Sequence, residues 1–291
     1  MCADKINNKE PIDIIYIMGS GRSGSTLLSN MLGTQSDIVC SGEVYNYKNF
    51  FESAVSNKRL CSCGEKLDEC GYWRSVREKI EAESGNALVD LKDTCLPVFK
   101  ENNYSLFSAI KDVSNKKIIV DSSKRHYRLK LLLKSRLFRI VIVHLVRDAR
   151  AYSYSNLLTG REKGKSNIEY YKKLLEWQKK NLGIKAIYGH NSGYIMIRYE
   201  DLVMNYTKEL SRVMALCNQT FDESRLFDST IRQSHEFSGN RRFISEGLKK
   251  VKLDTRYLES LTQNQWLSGS VLVAPTLAMF GYPVIKRSAP V

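Results

Sequence analysis

The chain has 291 residues, 43% of them hydrophobic, and its 45 Lys and Arg residues against 31 Asp and Glu residues give a net charge of +14. This composition is typical of a globular protein that attracts a polyanion, either nucleic acid or a small, highly charged nucleotide, and the length accommodates one large α/β domain. Because the chain has no run of about 18 apolar residues and its residues 1–11 are polar, we expect no membrane span, no secretory signal and a cytoplasmic location.

The first predicted elements are a strand over 12–18, a glycine-rich loop over 19–24 and a helix over 25–33. The glycines let the backbone turn tightly and point its N–H groups inward, and the helix N-terminus adds further N–H donors. Arginine and hydroxyl side chains add charged and neutral donors. This junction therefore predicts a phosphate site, to which we assign Gly21, Arg22, Ser23, Gly24, Ser25 and Thr26.

The loop differs from the loop of nucleotide-hydrolysing proteins, which reads G-x-x-x-x-G-K-[ST]. Gly19 and Gly24 have that spacing and Thr26 takes the hydroxyl position, but Ser25 stands where the lysine would be. The cation lies at Arg22 instead. The sequence therefore predicts an anion site without the lysine that contacts a triphosphate, and this counts against the alternative of a P-loop kinase or NTPase.

Residues 44–115 have mixed composition and interrupt the α/β pattern, so we interpret them as an insertion on the acceptor side, with a helix over 72–83 and partial helix over 86–115. Cys61, Cys63 and Cys70 lack the paired spacing of a structural zinc site, and no fourth ligand is near in sequence. We therefore expect free thiols or a local disulfide. His235 is assigned no role. Four aromatic residues are candidates to line an acceptor pocket: Tyr45, Tyr47, Phe50 and Phe51.

The remaining chain alternates apolar runs with helical patterns, which favours a parallel sheet flanked by helices. We therefore predict an α/β fold in which residues 1–291 form one P-loop-like domain with a central parallel sheet. The predicted strands cover 117–121, 139–146 and 194–199, and the predicted helices cover 127–134, 149–158, 167–189, 200–217 and two segments within 257–280.

A second anion site is indicated where the strand over 139–146 ends. Ligands of open α/β sheets bind beyond the carboxyl ends of the strands, which is where Arg147 lies. Ser155 follows eight residues later, roughly two turns along the next helix. An arginine and a serine so placed can hold one phosphate from two sides, whereas each residue alone is equally consistent with an ordinary ion pair or a surface hydroxyl.

Together these motifs resemble those of sulfotransferases that use 3′-phosphoadenosine 5′-phosphosulfate (PAPS). The resemblance implies that the loop from Arg22 to Thr26 holds the 5′-phosphosulfate and that Arg147 and Ser155 hold the 3′-phosphate. It further implies that Arg241 or Arg242, in a late basic loop, lies near the 3′-phosphate or the adenine. PAPS is then the sulfuryl donor, adenosine 3′,5′-bisphosphate (PAP) is the product, and catalysis requires no metal.

The resemblance also suggests the catalytic groups. Glu43 matches the glutamate that takes the acceptor proton in tyrosylprotein and several carbohydrate sulfotransferases. Arg22 and Lys124 are expected to contact the sulfuryl group or the leaving oxygen, with Asp121 orienting Lys124. His126 is the reserve base.

The acceptor is not specified by these motifs. We expect a hydroxyl or amine of a cytosolic small molecule or natural product, with a carbohydrate or lipid as the alternative. A basic nucleic-acid-binding protein remains an alternative from another class, although no nucleic-acid motif is present and the cations are spread along the whole chain. We therefore expect no nucleic-acid partner, and the oligomeric state is left open.

Overall fold

A computed structural model describes residues 9–52, 59–161, 167–228, 235–237 and 251–284, apart from the side chains of 159–161 and 167. The chain divides into two compact units. The first unit comprises Met1–Met18, Thr26–Ile142 and Leu210–Lys249, and the second comprises Gly19–Ser25, Val143–Glu209 and Lys250–Val291. The single domain over 1–291 stays a prediction.

The central element is a five-stranded sheet with the strand order β2-β3-β1-β4-β5. Within it, β1 and β2 each pair in parallel with β3. The predicted fold class, α/β with a central parallel sheet flanked by helices, is confirmed. The strands are β1 (Ile12–Gly19), β2 (Ile38–Gly42), β3 (Ile118–Asp121), β4 (Phe138–Val146) and β5 (Tyr194–Arg198).

The apolar strands form where the sequence predicts them, because their side chains are buried on both faces of the sheet. In β1 every residue but Asp13 is buried, and β4 is buried from Val141 to Val146. The strand β2 was not predicted, since Ser41 and Gly42 make it look polar. Its five residues are nevertheless all buried, and β2 pairs in parallel with β3, with a register shift between Cys40 and Gly42.

The helices begin and end close to the predicted positions. The helix predicted over 72–83 ends at Gly85, which adopts a left-handed φ of 72°. The helix predicted within 86–115 has a proline in its first turn. The helices of the first half are α1 (Ser25–Gly33), α2 (Tyr47–Phe51), α3 (Gly71–Ser84), α4 (Leu96–Ser114) and α5 (His126–Ser135).

In the second half, two predicted helices are subdivided. The helix predicted over 200–217 breaks at Asn205. The segment 257–280 contains three helices instead of two, because Thr262 caps a new helix and because Pro275 is tolerated only in the first turn of a helix. The helices are α6 (Ala149–Arg161), α7 (Asn167–Tyr188), α8 (Tyr199–Met204), α9 (Tyr206–Leu216), α10 (Arg256–Ser260), α11 (Gln263–Leu272) and α12 (Ala274–Met279).

The core of the second unit holds the end of β4 in place. Trp177 is fully buried in a cluster that includes Val146 and Phe280. Its indole Nε1–H donates a hydrogen bond of 2.9 Å to the Arg147 carbonyl oxygen. The backbone at the predicted anion site is thus held by buried packing.

Among the described residues, no helix is both long enough and apolar enough to cross a membrane. The cytoplasmic location and the lack of a nucleic-acid partner stay predictions.

Candidate active site

The glycine-rich loop of the second unit has the backbone geometry that its glycines permit. Gly19 and Gly24 have φ values of 147° and 93°, which side-chain-bearing residues rarely adopt. A Cβ atom on Gly24 would lie 2.6 Å from the Tyr199 ring, and one on Gly19 would meet the Leu145 carbonyl oxygen. Arg22 also has a positive φ, of 62°. The close approach of neighbouring groups thus requires glycine at both ends of the loop.

Two serines of this loop have buried hydroxyl groups that suit an anionic ligand. The Oγ atoms of Ser20 and Ser23 are buried and have no hydrogen-bond partner among the residues that the structure describes. Leaving a buried hydroxyl unsatisfied costs about 1–3 kcal/mol, and phosphate oxygens accept hydrogen bonds from such groups. The loop residues therefore fit a bound phosphate. Ser20 was not among the predicted site residues.

The other predicted loop residues differ in exposure. Gly21 and Arg22 are exposed, Gly24 and Thr26 are half-buried, and Ser25 is buried. Ser25 and Thr26 open α1, the helix whose first N–H groups the sequence assigns to the anion.

Arg147 lies directly after β4 and contacts the loop itself. Its side chain is only 8% exposed. Its Nη1 donates a hydrogen bond of 3.1 Å to the Arg22 carbonyl oxygen, and its guanidinium stacks on the Tyr199 ring at 4.7 Å. Its Nε has no hydrogen-bond partner within the described ranges. The second unit thus brings together the loop and the strand-end arginine.

An acidic residue that the sequence reasoning missed, Asp254, also binds Arg147. The Arg147 Nη2 atom lies 2.9 Å from an Asp254 carboxylate oxygen. Hydrogen bonds from Arg256 and from Arg147 hold the pKa of Asp254 well below its usual range, despite partial burial. Asp148, the neighbour of Arg147 in sequence, instead pairs with Arg150 at 2.6 Å. Nothing in the local sequence connects Asp254 with a strand end 107 residues away.

The strand end is further braced by Glu200, which accepts two hydrogen bonds. One comes from the backbone N–H of Asp148 at 3.1 Å and the other from the Tyr282 hydroxyl at 2.7 Å. Burial, reinforced by the nearby Asp148 charge, raises the pKa of Glu200 to about 7. Glu200 therefore holds the turn after Arg147 as a positioning residue.

The structure describes only one of the remaining residues that were predicted to bind the nucleotide. Ser155 lies half-buried on α6, in the same unit as Arg147 and the loop. Arg241 and Arg242 lie outside the described residues. Their assignment to the nucleotide stays a prediction.

In the first unit, the two predicted catalytic residues form an ion pair. Glu43 directly follows β2 and Lys124 follows β3, and Gly42 at the end of β2 is in register with Asp121 at the end of β3. The Lys124 Nζ lies 2.6 Å from a Glu43 carboxylate oxygen, with side-chain exposures of 14% and 30% respectively. The parallel register therefore explains why residues 81 positions apart meet.

Asp121 does not orient Lys124 in the way the sequence suggested. Its carboxylate oxygens accept hydrogen bonds from the Arg128 Nε at 3.1 Å and from the Ser123 N–H at 2.8 Å. The Asp121–Arg128 pair is almost fully buried. Lys124 pairs with Glu43 because a left-handed backbone, with φ of 57°, follows the strand at Lys124 itself.

Glu236 is a further carboxyl group near this pair that the sequence reasoning missed. It is buried and accepts a 2.5 Å hydrogen bond from the Ser29 hydroxyl on α1. Burial raises the pKa of Glu236 to about 7, while the Ser29 hydrogen bond and the Lys124 charge lower it. Glu236 thus lies within electrostatic range of the Lys124–Glu43 pair, and no motif in its surroundings indicates this.

A cavity of about 230 Å³ lies in the first unit, beside the residues that follow Glu43 and Lys124 in sequence. Of the four candidate aromatic residues, Tyr45 alone appears in its wall. Tyr47 and Phe51 instead pack on the buried Trp73, and Phe50 packs on Phe237. The wall consists of Tyr45, Leu91, Lys92, Asp93, Phe99, Arg125, His126, Tyr127 and Arg128.

Comparisons with known proteins bear on the family and on the fold. A sequence profile described as "Sulfotransferase family" matches residues 13–223, which is well over half of the chain. A comparison with curated protein sequences finds no match.

Solved structures with a similar fold are sulfotransferases. The sulfotransferase domain from the curacin biosynthetic pathway is 17% identical with a TM-score of 0.57, and the similarity covers 94% of this chain and 99% of that one. The sulfotransferase domain of the Synechococcus PCC 7002 olefin synthase is 19% identical with a TM-score of 0.51, covering 94% and 96%. Mouse sulfotransferase SULT7A1, complexed with PAP, is 10% identical with a TM-score of 0.52, covering 95% and 89%.

Proposed function

Because the chain belongs to the sulfotransferase family, we propose that it transfers the sulfuryl group of PAPS to a hydroxyl or amine group of a small-molecule acceptor. The mouse sulfotransferase of similar fold was solved with PAP bound, which supports PAPS as the donor. The two predicted anion sites of the second unit fit the two phosphate-bearing ends of that nucleotide.

The observation that carries this proposal is the contact between Arg147 and the loop. A buried guanidinium that hydrogen-bonds the Arg22 carbonyl oxygen joins the strand-end site to the phosphate loop in one compact unit. The buried Ser20 and Ser23 hydroxyls of that loop suit an anionic ligand as well. A donor with a 3′-phosphate in addition to its 5′-phosphosulfate uses both sites, whereas a nucleotide without the 3′-phosphate uses one.

The proposed chemistry is an in-line displacement at sulfur. The acceptor oxygen or nitrogen forms a bond to sulfur, the bond from sulfur to the bridging 5′-phosphate oxygen breaks, and PAP leaves. Glu43 takes the acceptor proton, and Arg22 and the loop N–H groups stabilise the charge that develops on the leaving oxygen. Lys124, held 2.6 Å from Glu43, neutralises charge on the transferred group.

We assign the acceptor to the cavity of the first unit, because two of its wall residues, Tyr45 and Arg125, closely follow Glu43 and Lys124 in sequence. The Arg125 guanidinium and the Lys92 ammonium both lie over the Tyr45 ring, at 5.0 Å and 5.1 Å. Aromatic and cationic groups together favour an acceptor that carries an apolar or aromatic body and a negative charge.

The test is transfer of radiolabel from PAPS labelled with sulfur-35, using the purified full chain and a fractionated metabolite extract. We expect one PAP released per labelled acceptor, without added magnesium. Calorimetry measures the binding of PAP and of ATP plus magnesium to the chain. This measurement tests the choice of nucleotide even if the extract lacks the acceptor. Binding of ATP plus magnesium in preference to PAP would contradict the proposal and favour a P-loop kinase or NTPase.

A further inference from the structure

Three cysteines and a histidine that have no assigned role in catalysis meet in the first unit. The ligand atoms of Cys61, Cys63, Cys70 and His235 all lie within 4.8 Å of one another. The His235 Nδ1 is 3.3 Å from the Cys70 sulfur and 3.6 Å from the Cys61 sulfur, and the Cys63 and Cys70 sulfurs are 3.7 Å apart. The sequence argument against a metal site, that a fourth ligand is missing, is therefore wrong.

These separations match the edges of a zinc coordination tetrahedron. With Zn–S bonds of about 2.3 Å and Zn–N bonds of about 2.0–2.1 Å, tetrahedral geometry separates two sulfurs by about 3.8 Å and a sulfur from a nitrogen by about 3.5 Å. A disulfide requires a sulfur separation of about 2.05 Å, and the three cysteines have free thiols. The cluster therefore has the geometry of a shared metal ion.

The backbone around the first two cysteines is arranged as a tight turn. The Cys61 N–H donates to the Glu65 carbonyl oxygen at 2.9 Å, and the Gly64 N–H donates back to the Cys61 carbonyl oxygen at 3.0 Å. Gly64 has a left-handed φ of 93°, and Leu60 and Lys66 form an antiparallel bridge. This turn holds the sulfurs of Cys61 and Cys63 on a fixed backbone.

His235 is held against the same turn by several independent contacts. Its ring stacks on Tyr72 at 4.6 Å with an interplanar angle of 7°, and its carbonyl oxygen accepts a 2.7 Å hydrogen bond from the Trp73 indole. The next residue, Glu236, makes two hydrogen bonds with Ser62. The Glu236 N–H donates to the Ser62 hydroxyl at 2.8 Å, and the Ser62 N–H donates to the Glu236 carbonyl oxygen at 2.9 Å. The histidine is therefore oriented before any metal binds.

We propose that Cys61, Cys63, Cys70 and His235 bind one structural zinc ion. Four protein ligands of the Cys₃His type close the coordination sphere of zinc, so no position is left for water or substrate. The ion would join residues 61–70 of the insertion to residues 235–237.

This proposed ion has a structural consequence for the chain around α1. Glu236, adjacent to the ligand His235, holds the Ser29 hydroxyl of that helix. Zinc would thereby fix the Glu236 carboxyl against the helix that follows the phosphate loop. The proposal is independent of the sulfotransferase reaction, because it is tested by metal content alone.

The experiment measures metal by mass spectrometry in the untagged full chain, purified without chelators after expression in zinc-supplemented medium. We expect about one zinc per chain, released when a mercurial reagent modifies the thiols. The variants Cys70→Ser and His235→Ala should retain less than about 0.1 zinc per chain. Cys95→Ser changes an exposed cysteine outside the cluster and should keep the full zinc content.

Two further measurements keep the proposal falsifiable if those variants do not fold. His235→Cys should retain zinc, because four thiolates also form a closed site. The wild-type chain, denatured without reductant, should have the mass of fully reduced thiols. A wild-type chain that holds no zinc and has a mass about 2 Da lower would show a disulfide, and iron in place of zinc would also overturn the proposal.

Discussion

The Nη1 atom of Arg147 lies 3.1 Å from the carbonyl oxygen of Arg22, so the arginine at the end of β4 is bound directly to the glycine-rich loop. The same guanidinium stacks on Tyr199, the ring that would also collide with a side chain at Gly24. Arg147 is therefore held in place from two sides before a nucleotide arrives.

Replacing Arg147 should discriminate between nucleotides. Arg147→Ala should weaken binding of PAP by about 100-fold, because charge-assisted hydrogen bonds to a phosphate contribute about 1.5–3 kcal/mol. Binding of adenosine 5′-monophosphate, which lacks the 3′-phosphate, should change much less. Calorimetry with both ligands measures the difference, with Arg212→Ala, at an exposed position of the first unit, as the arginine control. Equal losses for both nucleotides would remove Arg147 from the 3′-phosphate site.

Replacing Asp254 should strengthen the binding of PAP, the opposite of the effect of replacing Arg147. Its carboxylate lies 2.9 Å from Arg147 and competes with a phosphate for the guanidinium. Asp254→Asn should therefore tighten PAP binding by about 3- to 10-fold at low salt. Asp112→Asn, which neutralises an exposed aspartate of the first unit, serves as the control for net charge. Weaker PAP binding in Asp254→Asn would show that Asp254 supports the site instead of competing for it.

The proposed base is tested by an isosteric change. Glu43→Gln should bind PAP normally but lose turnover by about 100-fold or more, because an amide cannot take the acceptor proton. Glu52→Gln, at an exposed position in the insertion that follows Glu43, should retain activity. Steady-state rates and PAP calorimetry on the same preparations separate binding from chemistry. Retained turnover would transfer the role of base to another group, with His126 the first to examine.

The backbone of the loop is tested with two glycines three residues apart. Gly24→Ala should destabilise the protein by about 1–3 kcal/mol and weaken PAP binding, because φ of 93° is unfavourable for alanine and the Cβ would lie 2.6 Å from the Tyr199 ring. A Cβ at Gly21 would meet nothing within 4 Å, so Gly21→Ala should unfold at nearly the wild-type denaturant concentration. Similar destabilisation of both variants would contradict the geometry.

Glu200 predicts a pH dependence of stability. Its pKa rises from 4.5 to about 7 on folding, so the folded state holds its proton more tightly than the unfolded state. The contribution of Glu200 to the wild-type free energy of unfolding should therefore fall by about 3 kcal/mol as pH rises from about 4.5 to 7. Glu200→Gln removes this loss, so its stability relative to wild type should rise over the same range.

Urea unfolding at several pH values measures this difference, with the exposed Glu259→Gln as control. A constant difference between wild type and Glu200→Gln across the range would show that the carboxyl does not change its proton affinity on folding.

Much of the second unit could be predicted because its signals are local. The alternation of apolar strands and helices predicted the α/β class, and the glycines at 19 and 24 occupy two of the three positive-φ positions of the loop, the third being Arg22. Arg147 was identified because it follows an apolar strand directly. Periodicity and backbone preference act over a few residues, so they can be read without knowing the fold.

Apart from Ser20, the site features that were missed depend on residues far apart in sequence. The end of the strand β2 looks polar, and the strand is defined by its pairing with β3, about 80 residues further along the chain. Asp254 reaches Arg147 across 107 residues, and Ser29 reaches Glu236 across 207. No short pattern announces such partners, because each carboxylate is locally an ordinary acidic residue.

By itself, the sequence determined the type and approximate bounds of most strands and helices and the position of the glycine-rich loop, since these follow from side-chain periodicity and backbone sterics. Tertiary structure alone decided which distant groups meet: Lys124 with Glu43 through the β2–β3 register, and His235 with Cys70 across 165 residues. Such meetings depend on strand order and loop closure, which are properties of the whole folded chain.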